Sequence, residues 1–324
     1  MKKYMEFKIN FKNIVIFGYS EVFFEILKIN DSKNLNTFFV TKPGNFKSKN
    51  LENHIITTNK IDKKFINKLK KKIDFKKTLF ISLGSRWIFN KYHLKIFNNQ
   101  LINFHSSLLP FDKGGGGYTW RILRNDRVYS STVHLVDEKI DNGMILDQVI
   151  ELFPDSARIP KDFIKIGLKK FLDQYNKFLS ELINGKKFLP ISNNANIGDY
   201  YPRLSTKING WIDWSWKPEN LERFINAFDE PYEGAKTYLY NDEVYLSDVR
   251  LSSSFKSNHS FVNGIVTHKF KDFLVVHCGE NSCLLIKSIK NKKKKNIFNQ
   301  IKLGDRFWTS QKKLDLSKRR VFYN

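Results

Sequence analysis

Apolar residues fall in short runs whose period switches between two and roughly 3.6 along the first half of the chain. Asn13-Ile14-Val15-Ile16-Phe17 reads as a buried strand, Gly18 makes the turn, and Ser20 is the expected N-cap of a helix through Glu25, Ile26, Leu27 and Lys28. Further strands are predicted at 37–40, 54–57 and 78–83, with a helix over 63–72 whose Phe65, Ile66 and Leu69 share one face. A helix at 92–97 leads into the run Leu101-Ile102, and a helix at 118–124 is expected to turn Trp120 and Leu123 inward. Residues 132–136 and 144–150 read as paired strands, with Asp141-Asn142-Gly143 in the turn between them. Ile164, Leu168, Phe171, Tyr175, Phe178 and Leu182 predict a long amphipathic helix stopped at Gly185. Such alternation of strand and helix predicts an α/β fold, a Rossmann-like open, twisted, mostly parallel sheet. The polar stretch 190–205 reads as a linker. Beyond it come a short helix at 218–228 and, from 237, short alternating runs that predict a smaller β-rich, OB-like barrel. The expected domains are thus 1–189 and 206–324.

Composition narrows this picture little. At 324 residues, each of two domains can bury a core. No apolar run approaches membrane-spanning length, and charges interrupt the N-terminus, so a cytoplasmic location is the default expectation. Cys278 and Cys283 lie among alternating apolar residues and read as buried hydrophobes. Lys plus Arg exceed Asp plus Glu by 56 to 32, a net charge of +24. These lysines are spread over the chain with many asparagines. The charge is therefore weak evidence for a polyanion partner and better evidence for an acidic small substrate. The run 292–295 reads as a solvated loop. One glycine follows the first strand where a dinucleotide motif needs three, so no dinucleotide cofactor is expected. The seven histidines contain no HxxxH pair, so no metal is expected.

Chemistry concentrates in Asn103-Phe104-His105-Ser106-Ser107-Leu108-Leu109-Pro110, followed by Phe111-Asp112-Lys113 and glycines 114–117. On a strand, Asn103 and His105 point to the same face. In a parallel sheet, ligands bind beyond the carboxyl ends of the strands, where this pair and the loop at Gly84 both lie. An Asn and a His can act without a side-chain nucleophile. The His takes a proton from an attacking group, the Asn amide stabilises an oxyanion, and a carboxylate orients the His. Asp141 is the candidate carboxylate. An Asp in Asp-Asn-Gly is also an ordinary turn residue, and from spacing alone that reading leads.

The pattern Asn103-x-His105-x-Ser107-Leu108-Leu109-Pro110, then Asp141-x-Gly143, resembles the N10-formyltetrahydrofolate-dependent formyltransferase family. Thr132-Val133-His134-Leu135-Val136-Asp137, Gly84-Ser85-Arg86-Trp87-Ile88, Gly210-Trp211-Ile212-Asp213-Trp214-Ser215 and Asp229-Glu230-Pro231-Tyr232-Glu233-Gly234-Ala235 are also similar to the family, in the right order. The resemblance implies that Asn103 donates to the developing oxyanion, His105 takes the proton of the attacking amine, and Asp141 orients His105. It implies a cofactor site at Gly84, Arg86, Trp87, Ile88 and Asp137, and a substrate site at Ser107, Lys113, Gly115, Tyr118 and Trp120. For Trp120, core packing is the competing reading. Two branches of the family fit. One formylates a nucleotide-linked 4-amino sugar, carried on dTDP or UDP, for surface polysaccharide or lipopolysaccharide; the other formylates initiator methionyl-tRNA. The short segment 41–49 and the four glycines resemble the sugar branch more closely. That branch is often dimeric, so a homodimer is compatible with it.

Overall fold

The computed structural model describes all residues except 1–3, 6, 8–10, 20, 45–48, 99, 116, 194–196, 256–258, 280 and 322–324. The expected N-cap Ser20 and the glycine Gly116 lie outside the described residues. Two compact units result. The first is Met1–Gly114, Val128–Glu151 and Gly167–Tyr200; the second is Gly115–Arg127, Leu152–Ile166 and Tyr201–Asn324.

In the first unit, β1 (Asn13–Gly18), α1 (Phe23–Asp31), β2 (Asn36–Thr41), β3 (Ile55–Thr57), α2 (Lys63–Lys72), β4 (Thr78–Leu83), α3 (Lys91–Ile96) and β5 (Ile102–His105) alternate as the periodicity predicts. A short strand β6 (Asp112–Gly114) precedes α4 (Gly117–Leu123) of the second unit, and β7 (Val128–Leu135) and β8 (Ile145–Leu152) follow. The strands form one seven-stranded sheet in the order β3-β2-β1-β4-β5-β7-β8. It is parallel from β3 to β5, and β5 pairs antiparallel with β7. Asp62 caps α2 by accepting the Phe65 N–H at 2.8 Å. Two apolar clusters flank the sheet. One joins Ile14, Ile16, Phe39 and Phe104 to Phe171, Tyr175 and Phe178 of α5 (Pro160–Ile183), a helix whose later turns belong to this unit. The other joins Val15, Phe17 and Phe80 to Phe65, Leu69 and Phe97. Each such buried aromatic stabilises the fold by about 1.5–3 kcal/mol, so the sheet is anchored on both faces.

The expected linker is not one through its first half. Ile191 forms a β-bridge with Ile145, Asn193 is buried, and β9 (Asp199–Tyr201) begins with the Asp199 N–H on the Phe111 carbonyl at 2.8 Å. Its polarity hides this, because these residues are held by hydrogen bonds, of the backbone and of the Asn193 amide, rather than by apolar side chains. Residues 115–127 and 152–166 also fall in the second unit and not with the rest of residues 1–189, since unit membership is decided by long-range packing that local patterns do not encode.

The second unit adds α6 (Thr206–Asn209), α7 (Pro218–Ala227), strands β10 (Ala235–Leu239), β11 (Asp242–Ser252), β12 (Val266–Lys269), β13 (Leu274–His277), β14 (Cys283–Asn291) and β15 (Phe307–Trp308), and α8 (Gln311–Ser317). They form a six-stranded sheet in the order β12-β13-β14-β11-β10-β15. The Val266 N–H donates to Asp305 and the Phe307 N–H to Gly264, so the two ends of the sheet meet, as in the predicted barrel. In α4 the inward residues are Thr119, Arg121 and Ile122, not Trp120 and Leu123. Arg121 can be buried because Asp126 pairs with its guanidinium at 2.7 Å. No helix among the described residues is long and apolar enough to cross a membrane.

Candidate active site

The strand β5 carries the site because its four residues alternate. Ile102 and Phe104 are buried, with Phe104 against Phe171, Tyr175 and Phe178 at 5.5–5.8 Å. Asn103 and His105 therefore share the other face, half-buried, as the period of two requires. Register sets their neighbours: Asn103 lies between Ser82 of β4 and His134 of β7, and His105 opposite Thr132.

His134 is the residue that sequence reasoning passed over as a member of a strand. It is 2% exposed. Its Nδ1 lies 2.7 Å from the Leu135 carbonyl oxygen and must carry the hydrogen there. Nε2 is then bare and accepts from Asn103 Nδ2 at 3.0 Å. Burial, aided by repulsion from His105, pushes its pKa down to about 4, so the ring is neutral at ordinary pH. A neutral acceptor fixes which way the Asn103 amide points: its nitrogen, not its oxygen, faces His134, and that nitrogen carries a second N–H. The signal in the sequence was the inward alternation of β7, but the antiparallel register that pairs His134 with Asn103 was not visible there.

Asp141 completes the group from a turn. It adopts φ +52°, a left-handed conformation that Asp tolerates better than most residues. Its Oδ1 is 3.6 Å from His105 Nδ1 and 4.0 Å from His134 Nε2, and its Oδ2 accepts the Gly114 N–H at 3.3 Å. Gly143 must be glycine, since a Cβ there would sit 1.7 Å from the Leu135 carbonyl oxygen. His105 Nε2 is buried without a hydrogen-bond partner among the described residues. With Nδ1 turned to Asp141, that nitrogen is the one placed to accept a proton. Asn103, His105 and Asp141 are thus brought together as expected from the sequence.

The remaining predicted positions are more dispersed. Gly18 (φ +131°) and Gly84 (φ +59°) bring the ends of β1 and β4 together; Cβ atoms there would fall 2.0 Å from Leu83 O and 2.4 Å from Tyr19 O. In the loop after β4, Trp87 donates its ring N–H to Asn59 O at 3.1 Å, Arg86 is exposed and Ile88 is 70% exposed. Asp137 accepts from Lys139 N and from Asn142 Nδ2, both at 2.9 Å. Ser107 Oγ donates to Asp112 O at 2.6 Å, and Lys113 Nζ to Ile197 O at 2.7 Å. Thr132 and Gln148, which the sequence offers only as strand residues, staple the loop: Thr132 Oγ1 donates to Ser107 O, and Gln148 Nε2 to Leu109 O. Gly115, Tyr118 and Trp120 belong to the second unit. There Tyr118 packs 5.7 Å from Phe153 and 5.8 Å from Phe163, and burial pushes its phenol up to about 12. Trp120 donates to Pro202 O at 2.8 Å, beside the Tyr201 ring.

The formyl transferase family model matches residues 41–157, and the formyl transferase C-terminal domain model matches residues 205–300. The chain belongs to the formyl transferase family. It is similar to the bifunctional polymyxin resistance protein ArnA of Wigglesworthia glossinidia brevipalpis, 27% identical over 238 residues, which is 66% of this chain and 35% of that protein. It is also similar to the methionyl-tRNA formyltransferase of Nitrosomonas europaea, 26% identical over 192 residues, which is 58% of this chain and 57% of that one. These alignments thus span about a third and somewhat over half of the two relatives. The fold is shared with the N-formyltransferase of Helicobacter canadensis, solved in complex with folinic acid and dTDP-3-aminofucose. That likeness has a TM-score of 0.64 at 18% identity and covers 86% of this chain and 99% of that one.

Proposed function

We propose that this formyl transferase moves a formyl group from N10-formyltetrahydrofolate to the amino group of a nucleotide-linked amino sugar, a dTDP- or UDP-4-amino-4-deoxy sugar, for surface polysaccharide or lipopolysaccharide synthesis. The observation that carries the chemistry is the grouping of Asn103, His105 and Asp141, with His105 Nε2 buried and unpartnered among the described residues. The folate donor supplies an activated formyl carbon. It fits this corner: the orphaned nitrogen and the half-buried amide need a polar partner, and the exposed Ile88 of the neighbouring loop offers apolar contact. Gly84, Arg86, Trp87, Ile88 and Asp137 are the residues proposed to hold it.

The chain's own residues then act as follows. Asn103 donates its free N–H to the formyl oxygen as charge develops there, a contribution of about 3 kcal/mol when such a donor is lost elsewhere. His105 Nε2 takes the proton of the attacking amine as the new N–C bond forms, and gives it to N10 as the bond between N10 and the formyl carbon breaks. Asp141 holds His105 by Nδ1 and stabilises it while it carries that proton. Ser107, Lys113, Gly115, Tyr118 and Trp120 remain the proposed substrate side.

The sugar reading is supported by the nucleotide sugar bound to the similarly folded H. canadensis enzyme. A second reading, formylation of initiator methionyl-tRNA, is favoured by the sequence likeness to the N. europaea enzyme and by the net charge of +24. Incubation with N10-formyltetrahydrofolate and, in parallel, dTDP- and UDP-linked 4-amino sugars, a dTDP-linked 3-amino sugar and methionyl-tRNA separates them. Formylation of a 4-amino sugar is expected. Product from tRNA alone would overturn the sugar reading, and no product from any acceptor would overturn formyl transfer.

A further inference from the structure

The stretch that the sequence presents as a linker crosses both pieces of chain that carry the catalytic groups. At one end, Ile191 and Ile145 exchange backbone hydrogen bonds at 2.8 and 2.9 Å, immediately after the turn that bears Asp141. Asn193, 7% exposed, donates its Nδ2 to the Asp141 carbonyl at 2.8 Å and to the Gly143 carbonyl at 3.2 Å. At the other end, Ile197 O accepts from Lys113 Nζ, and the Asp199 N–H donates to Phe111 O, on the loop that leaves His105. Gly198 lies so close to that loop that a Cβ would sit 2.2 Å from Pro110 O. All of these residues lie in the first unit.

Asp141 needs such a hold. It sits in a left-handed turn, and its carboxylate reaches His105 across 3.6 Å, too long for a strong hydrogen bond, so a small rotation of the turn decides whether the two groups engage. Two N–H groups on the carbonyls of residues 141 and 143 pin that rotation from both sides of Asn142. The same amide buries its Oδ1 with no partner among the described residues, which offsets what the two donated bonds contribute to stability. Its effect is therefore on geometry more than on folding.

We propose that Asn193 is a positioning residue of the formyl-transfer site, holding the Asp141 turn at its distance from His105; the catalytic part of this rests on the function proposed above. Replacement by Ala removes both donors and is expected to lower kcat about 10- to 100-fold, the cost of a misplacement near 1 Å. KM for both substrates should stay within about twofold, and the melting temperature near that of the wild type. In an Asp141→Asn background, Asn193→Ala should add little, because the group it positions is already gone. Amide hydrogen exchange across residues 141–144 should rise in Asn193→Ala whatever the acceptor substrate proves to be. Asn193→Ser, which keeps one donor, should fall between and serves if the Ala variant does not fold.

An unchanged kcat, a full additive loss in the Asp141→Asn background, or unchanged exchange across the turn would each overturn the positioning role. A wild-type protein that formylates nothing, with exchange still rising in Asn193→Ala, would leave the hold on the turn intact and overturn the function.

Discussion

In the second unit the buried carboxylate of Asp229 accepts the Glu230 N–H at 2.6 Å and the Asp248 N–H at 2.7 Å. Glu222 Oε1 likewise accepts from Arg158 at 2.5 Å and from the Leu251 N–H at 3.0 Å. These polar groups are consumed in holding a turn and a strand. In the first unit the arrangement differs. His134 is spent in the same way, on Leu135 and Asn103, but His105 keeps one nitrogen without a partner among the described residues, and the Asn103 amide has a second N–H besides the one it gives to His134. Burial alone therefore does not mark a site. Left-over hydrogen-bonding capacity does not mark it by itself either, since His277 Nδ1 and Asn263 Oδ1 of the second unit are also buried without a partner among the described residues. What marks it is such a group on a ring that also faces a carboxylate and shares its strand face with an amide, as His105 does with Asp141 and Asn103.

The largest break in that contrast should come from the three central residues. Asn103→Ala, His105→Ala and Asp141→Ala are each expected to lower formyl transfer by about 10²–10⁴-fold while the circular dichroism spectrum and melting temperature stay near wild type. A folded His105→Ala protein with near-normal turnover would remove the general base from the scheme. Gly143→Ala comes next. Its Cβ cannot coexist with the Leu135 carbonyl at 1.7 Å, so the turn must move; turnover should fall about 10²-fold and stability should fall with it.

Asp229→Ala sharpens the other side of the comparison. It removes the acceptor of two part-buried N–H groups, those of Glu230 and Asp248, and should cost about 1 kcal/mol in denaturant unfolding, with kcat of the folded protein unchanged. A large kcat loss at unchanged stability would contradict its structural assignment.

The effect that is smallest at neutral pH is a pH dependence. His134 has its pKa lowered from 6.5 to about 4 by burial, so the unfolded chain binds the proton more tightly than the folded one. Stability is then unaffected above pH 6.5 and declines as pH falls from 6.5 through about 4. His134→Gln should flatten that decline in unfolding curves taken across the window. An unchanged slope would assign the acid sensitivity to other groups.

The strand and helix pattern of the first unit could be read from the chain almost element by element, because buried strands and amphipathic helices announce themselves within a few residues. The placement of Asn103 and His105 on one face followed from the period of two along β5, and the apolar Ile102 and Phe104 that alternate with them said which face was the core. Asp141 was ambiguous from spacing, a turn residue as readily as a partner for His105, and only the family resemblance favoured the second reading. The inward residues of α4 were misjudged, since Arg121 is buried only by virtue of Asp126.

By itself, then, the sequence determined the α/β alternation, the barrel-like second half and the strand that presents Asn103 and His105. These are properties of local periodicity, where each residue's burial is written in its near neighbours. The tertiary structure alone decided that His134 faces Asn103 as a neutral acceptor, that residues 115–127 and 152–166 join the second unit, and that an apparent linker holds the Asp141 turn. Each depends on register or contact between residues far apart in the chain, and such pairing is set by the packing of the whole sheet rather than by the pattern of any one segment.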